Sequence, residues 1–141
     1  MTTNKNYAVM RHASYSASTS NQEITQSGIQ QIKRAAEILE SFFKENNITE
    51  FQIWHSPQMR ANNTAKLLIE SVTVQCVTVL EKRFLNCDLE SIQDNIPNEE
   101  IFTLLISHEP DIEFYIRKMY SYRPDVYNCD IYVGSEKLPF S

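Results

Sequence analysis

Glycine is almost missing from this chain: its 141 residues include two, Gly28 and Gly134. A GxGxxG dinucleotide loop needs three, and a GxxxxGK[ST] phosphate loop needs two placed five residues apart, so both are excluded. Any phosphate handled here must be gripped largely by side chains. Cysteine is scarce and odd in number, with Cys76, Cys87 and Cys129 far apart. That spacing fits neither a disulfide framework nor a zinc knuckle, and the three read as buried or idle thiols. Basic residues are outnumbered, 13 against 18 acidic, for a formal charge of −5, which makes a poor nucleic-acid binder. No apolar run reaches the roughly 18 residues of a membrane span. The polar start, Met1 to Asn6, leads to only a short apolar stretch, unlike a signal peptide. The expectation is a cytoplasmic protein with no nucleic acid and no membrane among its partners.

What is present is an ordinary globular composition, 42% hydrophobic. At this length it supports a single domain over residues 1–141, with a real core and no disulfides. There is no internal repeat, low-complexity tract or linker. A first strand is expected over Asn6–Met10. Ile29, Ile32, Ala36, Leu39 and Phe43 then recur at helical spacing, predicting a helix from near Thr25 to Asn46-Asn47. Phe51–Trp54 reads as a second strand. Ser56-Pro57 reads as a helix start, a serine cap followed by proline at the first helical position. Ala61, Ala65 and Leu68 form one face of that helix. A third strand lies within Val72–Leu80, rich in β-branched residues. A short helix is expected over Asp88–Asn95, ended by Pro97. Ile101–Ile106 is a continuous apolar run, as in a strand buried on both faces. A turn at Ser107–Pro110, a helix over Asp111–Tyr120 and a last strand over Tyr127–Val133 complete the pass. Strands alternating with helices predict a three-layer α/β/α fold with a mainly parallel central sheet.

In such sheets, ligands bind beyond the carboxyl ends of the strands. Arg11-His12 closes the first strand, His55-Ser56 the second with Arg60 one turn on, and Ser107-His108 the strand at Ile101–Ile106. Two guanidiniums there form an anion clamp, since their forked donors match phosphate oxygens. Arg60 falls in the first turn of its helix, where a cation opposes the dipole and an anion would relieve the misfit. His12 could be a nucleophile, a metal ligand or a packed polar residue. His12, His55 and His108 permit a three-histidine metal site on paper, although Arg11 would repel a cation and favour a phosphoryl group. His55 takes no assigned role.

These residues resemble the histidine phosphatase superfamily, with the phosphoglycerate mutase-like fold. Its Arg-His-Gly hallmark stands here as Arg11-His12-Ala13. A Ser-Pro block followed by arginine and Thr-Ala is matched by "HSPQMRANNTAKLL", residues 55–68. A Ser-His block ahead of a helix is matched by "LLISHEPDIEFYI", residues 104–116. The Leu-Thr-x-x-Gly helix opening is matched by "ITQSGIQQIKRAAEIL", residues 24–39. The similarity covers most of the chain, and its small size is most similar to SixA-type phosphohistidine phosphatases.

The resemblance implies a metal-independent phosphatase with no cofactor. His12 would be the phosphorylated nucleophile, Arg11 and Arg60 would bind phosphoryl oxygens, and His108 would donate to them. The substrate would be a protein phosphohistidine. A small phosphorylated metabolite, or a non-catalytic phosphate-binding module, are the alternatives. The chain departs from the pattern in three places. Ala13 replaces a glycine, and Gln22 stands where SixA-like members often carry arginine. Asn86 stands where phosphomonoesterase members carry a glutamate acid, with Glu81, Asp88 and Glu109 nearby as substitutes.

Overall fold

The computed structural model describes residues 6–87, 91–95 and 101–139. Along the chain lie β1 (Tyr7–Arg11), α1 (Gln26–Glu45), β2 (Glu50–His55), α2 (Met59–Ser71), β3 (Gln75–Glu81) and α3 (Phe84–Cys87). After these come α4 (Ile92–Asn95), β4 (Phe102–Ser107), α5 (Asp111–Tyr120), β5 (Ile131–Val133) and β6 (Glu136–Lys137). Strand alternation decides the layers. β1 turns Ala8 and Met10 to one face of the sheet and Tyr7 and Val9 to the other. The first face packs on Ile32, Ala36, Leu39 and Phe43 of α1 and on Ala61, Ala65 and Leu68 of α2. The second packs on Leu85, Ile92 and the α5 residues Ile112, Tyr115 and Ile116. The result is the expected three-layer α/β/α arrangement.

The strand order is β3-β2-β4-β1-β5-β6. The first four are mutually parallel, β5 pairs antiparallel with β1, and β6 pairs antiparallel with β5. β4 sits between β2 and β1 and is buried along its whole length, as its unbroken apolar run predicts. Because β1, β2 and β4 are parallel, their carboxyl ends fall on one edge of the sheet. Arg11 pairs in register with Ser107, and His55 with Ile106.

Helix α1 starts as expected: Thr25 accepts the Gly28 N–H at 3.0 Å and caps it. Helix α2 starts later than its sequence suggests. Ser56 Oγ accepts the Gln58 N–H at 3.2 Å, so the serine closes the turn before the helix, which opens at Met59. The last expected strand is shorter, because Cys129 takes a left-handed φ of 61° that breaks extension before Ile131. A further strand, β6, returns beside β5 through Gly134 at φ 63°. Helix α3 was not foreseen. Of the helix expected over Asp88–Asn95, residues 92–95 are helical, while residues 88–90 and Pro97 lie outside the described residues. Among the described residues, no helix is long and apolar enough to cross a membrane.

Gly28 fixes how the loop after His12 lies on α1. A Cβ there would fall 2.3 Å from the Ser14 carbonyl oxygen and 2.5 Å from Ile24 Cγ2. Gly28→Ala should therefore cost about 1–3 kcal/mol of stability through overpacking. Urea unfolding of the two proteins checks this, and an unchanged midpoint would contradict the packing account.

Candidate active site

The parallel pairing of β1 with β4 brings the candidate residues together. His12 N–H donates to the Ser107 carbonyl at 3.1 Å. The His12 and His108 rings then lie with centroids 5.8 Å apart, inclined at 67°. Arg60, in the first turn of α2, is close enough for its charge to act on both. Arg11, His12, Arg60 and His108 thus share one site at the carboxyl edge of the sheet.

His12 is 4% exposed. Its Nδ1 lies 2.9 Å from the Ala13 carbonyl oxygen. A carbonyl oxygen only accepts, so Nδ1 carries the proton and Nε2 keeps its lone pair. The acceptor belongs to the 13–14 peptide, whose Ser14 N–H donates to Gln31 Oε1 at 2.9 Å, and the 12–13 peptide just before it is held from both sides. Ala13 N–H donates to Thr64 Oγ1 at 3.0 Å, and that hydroxyl donates to the Arg60 carbonyl at 2.7 Å. Asn128 Nδ2 donates to the His12 carbonyl at 3.0 Å. Ala13 replaces glycine without backbone strain: it is not among the left-handed residues, and its methyl group joins the core beneath α1 and α2.

Burial lowers the His12 pKa to about 4; the Ala13 hydrogen bond opposes this, and the charges of Arg60 and Arg11 add to it. Burial, reinforced by Arg60, lowers His108 to about 4 as well. Both rings are neutral at pH 7. His108 Nε2 lies 3.1 Å from Asn86 Oδ1, which also accepts from Gln58 Nε2 at 3.1 Å. Facing an oxygen, His108 Nε2 carries its ring's proton, while His108 Nδ1 is buried without a partner. Arg11 donates Nη1 to the Val126 carbonyl at 2.9 Å, and the Nε atoms of Arg11 and Arg60 are buried without acceptors. Two cations beside two neutral imidazoles, with buried N–H groups left over, suit a multiply charged oxyanion.

Gln22 has a role that its sequence position does not reveal. From a left-handed backbone at φ 51°, its Oε1 accepts the Arg60 N–H at 2.9 Å. It caps α2 across 38 residues. The Arg60 amide is therefore already satisfied, so Arg60 can offer an anion only its side chain. Asn86, read in the sequence only as standing at the family acid's position, lies against His108. Glu81 is exposed at the sheet edge, and Asp88 lies outside the described residues. Glu109 accepts from Glu113 N–H at 3.4 Å, and burial pushes its carboxyl up to about 7. His55 is buried with Nδ1 2.8 Å from the Ser56 carbonyl oxygen, a packed histidine. Among the described residues, no three His, Cys, Asp or Glu side chains gather as a metal-ligand set. Cys129 is buried and Cys76 partly so, while the Cys87 side chain lies outside the described residues. Sequence reasoning missed Tyr15, Gln58 and Asn128. It quoted Thr64 within a motif without seeing that it joins Ala13 to Arg60.

No family model matches the chain, and no curated protein matches it in sequence. Solved structures do match. The protein histidine phosphatase SixA complexed with tungstate is 17% identical and has a TM-score of 0.70, covering 89% of this chain and 84% of that one. A phosphoglycerate mutase from Plasmodium falciparum is 18% identical, with a TM-score of 0.58 over 82% of this chain and 68% of that one. A phosphoserine phosphatase from Entamoeba histolytica in complex with 3-phosphoglyceric acid is 16% identical. Its TM-score is 0.55 over 89% of this chain and 87% of that one. This chain has the phosphoglycerate mutase-like fold. The fold is common to the mutase, to a protein histidine phosphatase and to a phosphoserine phosphatase, so substrate must be argued from the site.

The lowered histidine pKa has a consequence for stability. From the ordinary 6.5 down to about 4, the unfolded chain binds a proton at His12 that the folded chain refuses. Stability therefore falls as pH falls through that window. Glu109 acts in the opposite sense, holding its proton in the fold from about 7 down to its ordinary 4.5. Comparing variants isolates the histidine. The loss in unfolding free energy from pH 7 to pH 5 should be larger for the wild type than for His12→Asn. Equal losses would contradict the neutral, buried His12.

Proposed function

We propose that the protein is a metal-independent histidine phosphatase, acting on phosphohistidine in a protein as SixA-type enzymes do. The observation that carries this reading is the Nδ1 hydrogen bond of His12 to Ala13, which leaves the Nε2 lone pair free beside two arginines. Nε2 attacks phosphorus and the bond from phosphorus to the leaving group breaks. The phospho-imidazole that forms holds its remaining proton on Nδ1, against the Ala13 oxygen. Water then attacks the same phosphorus, the P–N bond breaks, phosphate departs, and neutral His12 returns. Arg11 and Arg60 balance the charge on the equatorial oxygens, and His108 donates to those oxygens once the bound dianion has raised its proton affinity and it has taken a proton from water. Tungstate in the SixA structure is a tetrahedral oxyanion that stands in for phosphate, which agrees with an oxyanion site on this fold.

Asn86 supports the choice of substrate. A serine or sugar phosphate must expel a strongly basic alkoxide, a step to which a general acid contributes about 10²–10⁴. At 3.1 Å from His108 this chain offers an amide, which has no such proton to give. A phosphohistidine leaves as neutral imidazole after protonation on its other ring nitrogen, so it needs less help. A small-metabolite phosphomonoesterase is the second reading, favoured by the phosphoserine phosphatase among the similar structures. A phosphate-binding module without turnover is the third.

Two peptides of one sequence, phosphorylated on histidine or on serine, separate these readings. We expect kcat/KM to favour phosphohistidine by at least about 10², unchanged by EDTA, and to vanish in His12→Ala. Comparable values would sink the substrate assignment, and absence of turnover with retained phosphate binding would favour the module. Asn86→Glu should raise the phosphoserine rate by about tenfold or more while leaving the ratio for phosphohistidine lower. Arg60→Ala should cost about 10²–10³ on either peptide without unfolding the protein. A loss below about tenfold would remove Arg60 from the clamp.

A further inference from the structure

Arg60 is the second residue of α2, where a positive charge opposes the helix dipole. Among the described residues, no carboxylate pairs with it. Its Nε is buried without an acceptor. What meets the guanidinium is the face of Tyr15, with Cζ 5.0 Å from the ring centroid. The same ring meets His12 edge to face, with centroids 5.5 Å apart and planes at 73°. Tyr15 is itself held by an antiparallel bridge to Ile24, and Ser16 N–H donates to the Glu23 carbonyl at 2.7 Å. The loop that carries Tyr15 grips Arg60 a second time, through Gln22 on its backbone N–H.

We propose that Tyr15 is a positioning residue whose ring holds the Arg60 guanidinium beside His12 with its N–H donors free for phosphoryl oxygens. The physical reason is the kind of contact. An aromatic face attracts a guanidinium without offering it an acceptor. A carboxylate at the same place would hold Arg60 as firmly, but would neutralise it and compete with the substrate for its forked donors. The ring, not the hydroxyl, is the working part. Because Tyr15 also lies against the His12 ring, one side chain sets the spacing between nucleophile and clamp. This proposal rests on the phosphoryl-clamp reading above and adds a residue outside its motifs.

The test measures inorganic phosphate binding by titration calorimetry, together with KM and kcat for an aryl phosphate. The proteins are the wild type, Tyr15→Phe, Tyr15→Leu, Tyr15→Met, Arg60→Ala and the Tyr15→Leu/Arg60→Ala double variant. Thermal unfolding confirms that each is folded, and Met serves as a second ring-free variant should Leu fail to fold. Tyr15→Leu and Tyr15→Met should weaken phosphate about tenfold and raise KM to match. Tyr15→Phe should stay within about threefold of wild type, since it keeps the ring face. With Arg60 already removed, Tyr15→Leu should cost less than about twofold, because its partner is gone. The proposal is overturned if Phe is as damaging as Leu, if Leu costs its full amount without Arg60, or if neither ring-free variant weakens phosphate. Should Arg60→Ala alone leave phosphate binding unchanged, the clamp itself fails. That result differs from one in which Arg60 matters and Tyr15 does not.

Discussion

The hydrogen bond from His12 Nδ1 to the Ala13 carbonyl oxygen is the contact on which the rest of the site depends. A neutral imidazole has one N–H and one lone pair, and whichever nitrogen meets a fixed acceptor must carry the proton. Turning the 13–14 peptide would free Nδ1 to exchange roles with Nε2, and the lone pair would no longer be fixed on Nε2. Much of the neighbouring polar structure serves to prevent that turn. Thr64 and Asn128 hold the 12–13 peptide just before it. Gln31 holds Ser14 on the strand side of α1, donating to its hydroxyl and accepting its N–H. These supports come from α2, from the segment before β5 and from α1, so the tautomer of one ring is decided by three distant parts of the chain.

Charge is the second constraint, and it follows from the first. A buried histidine between two arginines is driven neutral, which is what a nucleophile needs, and among the described residues neither arginine forms an ion pair with a carboxylate. They are held by groups that do not cancel them: a backbone carbonyl for Arg11, and an aromatic face with a capping amide for Arg60. The site is therefore positive and rich in donors, and it complements a phosphoryl group more strongly as charge gathers on its oxygens. His108, tied to the Asn86–Gln58 amide pair, completes the rim.

The layers, the parallel sheet and the edge carrying the site were legible in the sequence, because they depend on strong periodic signals and on strand ends. The unbroken run at 101–106 reads as a strand buried on both faces, and the strand at Phe102–Ser107 is buried along its length between β2 and β1. Arg11, His12, Arg60 and His108 were legible because each follows a strand or opens a helix. What was not legible depends on contacts between segments far apart. Nothing local in Gln22 says that it will cap a helix 38 residues away, and in sequence it reads as a lost arginine. Tyr15 reads as one more residue of a polar loop until the fold lays it on Arg60. The start of α2 was misplaced because a serine–proline pair suits both a helix cap and the turn before one. The last strand was overextended because apolar residues at 131–133 continue from a left-handed Cys129 that no propensity flags.

The central claim is that His12 is the nucleophile and that Nε2 is its reacting atom. The most direct measurement is to quench the protein in alkali during turnover of an isotopically labelled phosphodonor, locate the label by mass spectrometry, and assign the ring nitrogen by NMR. The account predicts acid-labile phosphate on His12, bonded to Nε2. Label on a serine, a cysteine or another histidine, or on Nδ1 of His12, would contradict it.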